Sequence, residues 1–207
     1  MRRNLVFLVF PAAVGLIGMA PLGAQSTGLP SFNAPYRAFQ RSEFGGVLSF
    51  PNPGGTAFEG AYRYARGGLD VGGRAGFYAP GGGAKTVLLL GAEARERVIT
   101  HTLDFPLDGA IVFGAGAGLV SGGSSVYIPV GLSLGRRVDP QGSQVSIVPY
   151  AQPTLAFVVG TGRASDLLFA FGVGADFRLS RAFDARVSGG LGDHPFEGVS
   201  IGAVWVH

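Results

Sequence analysis

The segment Leu167–Ser180, LLFAFGVGADFRLS, limits what this chain can fold into more than any other stretch. Its alternate residues make two unlike surfaces. Leu167, Phe169, Phe171, Val173, Ala175, Phe177 and Leu179 form a wholly apolar face. Leu168, Ala170, Gly172, Gly174, Asp176, Arg178 and Ser180 form a face that is small in its middle and charged near its end. A period of two means a strand, because successive side chains of an extended chain point to opposite sides of a sheet. In a water-soluble sheet the apolar face meets a core and the charges meet water. Here the bulk is all on one face, while the other pairs glycine with an Asp/Arg couple.

The same split recurs along the chain. Ten strand patterns follow one another, separated by turn signals at the close spacing of an all-β barrel. They fall at about Glu43–Phe50, Ala57–Ala65, Leu69–Ala79, a stretch from Lys85, Ala110–Val120, Ser125–Arg136, Gln144–Val159, the opening segment, Ala182–Leu191 and Glu197–Val206. Pro51–Gly55, Gly67-Gly68, Pro80–Gly83, Pro106–Gly109 and Asp139–Gly142 supply turn chemistry between them. Two places break the pattern. Past Glu96 the parity flips, with Ile99, Leu103 and Phe105 as the new apolar set, so a bulge or break is expected in Arg97–Leu107. Pro149 and Pro153 are awkward in a ladder and mark a bulge or irregular stretch. If such segments are not strands, eight remain instead of ten.

Opposite charges repeat on the small-residue faces. Glu59/Arg63, Asp70/Arg74, Glu93/Arg95, Asp176/Arg178 and Asp184/Arg186 each lie two or four residues apart on one side of a strand. At that spacing they can pair along the strand or across to the next. Lys85 is the single lysine, although soluble sheets use lysine to protect their edges. A closed sheet has no edges to protect, and a bilayer requires closure. The expected fold is an all-β, closed, antiparallel up-and-down transmembrane barrel, apolar outside and polar inside.

Composition narrows the alternatives. Glycine is abundant, at 36 of 207 residues, but it alternates with apolar residues inside strands, which excludes collagen and flexible linkers. With no cysteine there is no disulfide framework. His101, His194 and His207 have no metal-ligand spacing, so no metal and no cofactor is expected. The formal charge of +3 includes Arg2 and Arg3 of an N-terminal leader; without them 14 basic residues face 13 acidic ones, and nothing suggests nucleic acid.

Residues 1–24 read as that leader. Arg2-Arg3 precedes an apolar run from Leu5 to Met19, interrupted by Pro11, and Leu22-Gly23-Ala24 before Gln25 fits a cleavage site. Export is expected. Residues 25–41 lack periodicity and read as an irregular arm, leaving 42–207 as the barrel.

The last quarter resembles the C-terminal end of small bacterial outer-membrane barrels, of the OmpA/OmpX-like or porin-like type. Gly172–Ser180 runs into a tight turn, Phe183–Val187 rises again, and Val199–His207 ends the sequence on a strand. The resemblance implies a cell outer-membrane location in a Gram-negative-type envelope, with outer-membrane lipid and the barrel-insertion machinery as partners. It implies that Trp205 and His207 stand where the insertion signal lies, with His207 departing from the usual terminal aromatic. It also places both termini in the periplasm and makes Pro51–Gly55, Pro80–Ala84, Ser121–Ser124, Thr161–Ser165 and Gly192–Phe196 the outward loops, all short.

Three functions fit this sequence. The first is a structural barrel or narrow passive pore for small solutes, with a charge-lined and largely filled lumen, and not an enzyme. The second is a soluble periplasmic barrel that binds an apolar ligand, with Phe169, Phe171 and Phe177 inside. The third is a membrane-embedded lipid-modifying enzyme using His101, near Asp104, or His194, next to Asp193. The glycines of Gly114–Gly118 match no phosphate loop, since no capped helix follows; they read as lumen-facing positions.

Overall fold

The computed structural model describes Pro35 and residues 41–52, 54–193 and 196–207, the side chain of Arg163 apart. The expected leader 1–24 and the arm 25–41, except Pro35 and Arg41, lie outside the described residues, as does His194. The described chain is ten strands: β1 (Glu43–Pro51), β2 (Thr56–Arg66), β3 (Leu69–Ala79), β4 (Val87–Ile99), β5 (Asp108–Val120), β6 (Gly123–Gly135), β7 (Ser146–Gly160), β8 (Arg163–Arg178), β9 (Phe183–Gly192) and β10 (Gly198–Val206). Each pairs antiparallel with the next, and β1 pairs with β10, from Glu43 opposite Val206 to Pro51 opposite Gly198. The sheet is therefore a closed up-and-down barrel. Following paired residues round the ladders back to β1 gives a net stagger of about 12 residues, which sets a steep strand tilt in a barrel of this size.

Two-residue turns join several strands. Gly67, between β2 and β3, and Gly122, between β5 and β6, have φ of 62° and 96°, the left-handed region that tight hairpins need and that glycine adopts without steric cost. Both ends of the described barrel, Glu43 and Val206, lie at one end, here the terminal end. The connections 100–107 and 136–145 also lie there and are longer than any at the far end.

Period-two patterning sorts the side chains as expected. Phe58, Tyr62 and Tyr64 on β2, Leu69, Val71 and Phe77 on β3, and Leu167, Phe169, Phe171 and Val173 on β8 are exposed on the outer wall. Their alternates point inward. The placement of Phe169 and Phe171 outside overturns the soluble-barrel alternative, which needs them in the interior.

The interior is layered. Toward the far end it is apolar: Tyr127, Ala156, Val158, Leu168, Ala170 and Phe196 form one cluster, and Ala57, Tyr78, Val87 and Leu89 another. Phe196 comes from the β9–β10 connection and meets the Tyr127 ring edge-on at 6.1 Å. Toward the terminal end the interior is ionic along β1–β4, β8 and β9, and apolar along β5, β7 and β10, where Ala110, Val148, Tyr150, Val204 and Val206 are buried.

The two irregular regions resolve differently. The register of β4 against β5 shifts between Arg97 and Ile99, where the parity changes. Strand structure then stops, so Leu103 and Phe105 stand exposed on a connection rather than continuing a strand. The prolines of β7 do not bulge it. Pro149 pairs with Ala175 and Pro153 with Phe171 on β8, and the β7–β8 register shift falls instead between Val158 and Gly160. The effect of Pro153 is on the other neighbour. Pairing with β6 lapses at Leu132 and Ser133, opposite Gln152 and Pro153, because proline has no N–H to give. Pro129 on β6 does the same against β5, where pairing lapses between Phe113 and Gly116.

Candidate functional site: the ionic lumen

The inward residues of β1–β4, β8 and β9 bring charge into the terminal half of the barrel. The pairing registers place Glu43 opposite Arg63, Asp70 opposite Arg95, Asp176 opposite Arg186 and Arg178 opposite Asp184. Each opposition becomes an ion pair. Arg63 reaches Glu43 at 3.2 Å, Arg95 reaches Asp70 at 2.8 Å, Arg186 reaches Asp176 at 2.9 Å and Arg178 reaches Asp184 at 2.9 Å. These bonds run between strands, while the sequence neighbours Asp176/Arg178 and Asp184/Arg186 exchange partners across the β8–β9 ladder. The reason is geometric: directly opposite side chains on one face are closer than next-but-one residues along a strand.

Longer arginine reach knits the pairs together. Arg63 also contacts Asp70 at 3.5 Å and donates to Glu93. Arg74 contacts Glu59 at 3.6 Å and Glu93 at 3.3 Å. All ten residues expected in the lumen are thus brought into contact, in two arcs. One spans β2, β3 and β4; the other spans β8 and β9. The junction is Glu43 of β1, which also receives Arg186 Nη1 and Nη2, each at 2.7 Å. Glu43 is absent from the sequence-based set because no arginine shares its strand. Parity was the available signal, since Glu43, Val47 and Ser49 fall on one side of β1 and all are buried.

Burial makes this a desolvated network. Asp184 is fully buried, Glu59 and Asp176 are 1% exposed, and Arg63, Arg74, Arg95 and Arg186 are buried as well. A charge held away from water must be paired and hydrogen-bonded. The guanidinium forks do both for Glu43, Asp70, Glu93, Asp176 and Asp184, while Glu59 has the Arg74 ion pair and an Oε1 with no hydrogen bond. Little space is left between them. A void lined by Arg63, Arg74 and Glu93 and another lined by Arg74, Gln152 and Thr154 have about 10 and 20 Å³, room for about one water each. Glycine allows this closeness. A Cβ on Gly174 would come within 2.5 Å of the Tyr150 hydroxyl, which lies across the β7–β8 ladder from it.

Trp205 and His207 lie elsewhere. Trp205 is on the outer wall, edge-on to Phe183 at 6.4 Å. The His207 ring stands 6.1 Å from Phe44 and 6.2 Å from Tyr62, so it bridges β1 and β2 where the barrel closes. His101, the candidate catalytic base of the enzymatic reading, is at the terminal rim. Its Nδ1 is 3.0 Å from Asp108, not Asp104.

No family model matches this chain, and no curated protein matches it. Among solved structures it is similar to the beta domain of the Bordetella autotransporter Brka, with a TM-score of 0.54 at 13% identity, covering 81% of this chain and 98% of that one. It also aligns with the N-terminal β-barrel domain of Pseudomonas aeruginosa OprF, with a TM-score of 0.37 at 13% identity and the same coverages. The first likeness supports the fold; the second carries no weight. Fold and surface together define a membrane β-barrel: closed, apolar outside and ionic within.

Proposed function

We propose that this chain is an outer-membrane β-barrel whose lumen is closed to solutes, a structural membrane protein rather than an open channel. The supporting observation is the cross-strand network in which Arg63, Arg74, Arg95, Arg178 and Arg186 fill the terminal half of the lumen against their carboxylates. Barrels of about eight strands have an interior that side chains can fill, and ten strands widen it only modestly. Apolar clusters around Tyr127 and Phe196 and around Tyr78 and Leu89 occupy the other half. Export by the leader 1–24, insertion by the barrel-assembly machinery through the Trp205–His207 segment, and residence in outer-membrane lipid belong to the same proposal.

The test is conductance. The purified barrel in a planar bilayer is expected to show no steady unitary current. A narrow passive pore for small cations is the second reading, favoured by the lumen's six carboxylates (the five paired in sequence plus Glu43) against five guanidiniums. A steady, cation-selective current would replace the closed barrel with that pore.

A further inference from the structure

The outer wall is not the same at its two ends. At the far end its exposed rings are phenylalanines, such as Phe50, Phe58, Phe77 and Phe169. The amphipathic rings are at the terminal end, on the two strands that flank β1: Trp205 of β10, and Tyr62 and Tyr64 of β2, with His207 between Phe44 and Tyr62. Such rings favour the level of lipid headgroups, where one edge is dry and the other wet.

Three arginines edge the same sector. Arg66 ends β2 on the outward side, next but one to Tyr64. Arg41 precedes β1, and its Nη1 donates to the Arg181 carbonyl at 2.9 Å, which brings it to the β8–β9 turn. All three are exposed. Neither Arg66 nor Arg181 has a carboxylate within ion-pair distance among the described residues. The acidic side chains of these strands, Glu43, Asp70, Asp176 and Asp184, are turned into the lumen and buried. The terminal-end carboxylates that face out are Glu96 of β4, Asp104 on the β4–β5 connection, Asp108 at the start of β5 and Asp139 on the β6–β7 connection. Glu96 comes nearest, opposite Leu69 and against Gly68 of the turn after Arg66, but it forms no ion pair with Arg66.

We propose that this sector, spanning the β1–β10 closure, is a seat for anionic phospholipid headgroups in the leaflet at the terminal end. Arg41, Arg66 and Arg181 hold the phosphodiesters, and Trp205, Tyr62 and Tyr64 hold the glycerol level. The inference rests on the membrane-barrel reading. Its occupant follows from charge complementarity and from continuity with the lipid-facing wall.

Trp205 is the single tryptophan, so its fluorescence reports the lipid beside the seat. The folded chain is placed in phosphatidylcholine vesicles with a minor phosphatidylglycerol fraction, and either lipid carries brominated tails. Brominated phosphatidylglycerol is expected to quench Trp205 about fivefold more than its share of the bilayer, the attraction of roughly one interfacial arginine. High salt should reduce that excess, and Arg41→Ser/Arg66→Ser/Arg181→Ser should abolish it. Arg136→Ser/Arg137→Ser, on the β6–β7 connection across the rim, should leave it intact. Equal quenching by the two lipids in the wild-type chain overturns the seat, as does equal loss in both variants. Quenching by neither lipid overturns the membrane barrel itself, a distinct outcome.

Discussion

Arg186 shows how a single side chain is used in this barrel. Its Nε faces Asp176 at 2.9 Å, and its two terminal nitrogens each meet Glu43 at 2.7 Å. Only a planar fork can serve two carboxylates on different strands in this way. Arg186→Leu leaves both acids buried beside each other, and an uncompensated buried charge costs about 3–5 kcal/mol. Denaturant unfolding of the vesicle-inserted barrel should show that loss; a change below about 1 kcal/mol would mean water already screens the network. Arg186→Lys keeps the charge but not the fork, and should fall between the two. The outcome is measurable without any assumption about what the lumen does.

At the level of elements, the strands are where the sequence was most readable. In β2, β3 and β8 the alternation of rings with glycine or charge predicts both the strand and its orientation, because each face has one character throughout. The ends were less readable. β8 begins at Arg163, four residues before its apolar stripe starts at Leu167, since hydrogen bonding to β7 continues past the point where packing informs the sequence. β7 was obscured for a different reason: proline's missing donor harms one neighbour of a strand and spares the other, and a single sequence does not say which. Glu43 stayed hidden because its partner Arg186 is far along the chain, and only closure joins them. Phe196 was hidden too, as an isolated ring on a short connection. One prediction belongs here. Phe171 stands mid-strand on the outer wall of β8, so Phe171→Arg should cost about 2–4 kcal/mol in a bilayer. Guanidinium unfolding from vesicles checks it, and an unchanged midpoint would remove that face from lipid.

The whole molecule has an unusual distribution of loops. Barrels of this architecture commonly carry short turns at the end of their termini and long loops at the other. Here the longest connections, 100–107 and 136–145, share the end of Glu43 and Val206. The second is held by Val138 pairing with Ile147, and by Arg137 and Ser146 both donating to Asp139. With the terminal end in the periplasm, trypsin should cut at Arg136 only after the outer membrane of a producing cell is permeabilised; cutting in intact cells would reverse the orientation. The position of Glu43 bears on how such a sheet closes. An open ten-strand sheet can satisfy this carboxylate from β2 alone, and Arg186 then has Asp176 alone. Both needs are met once β1 and β10 zip together. A slip of one residue at that last ladder would turn Glu43 toward hydrocarbon, and a slip of two would carry it a full repeat away from Arg186. The last hydrogen-bonded ladder to form is thus checked by charge, and a misaligned closure is penalised before the barrel can settle into it.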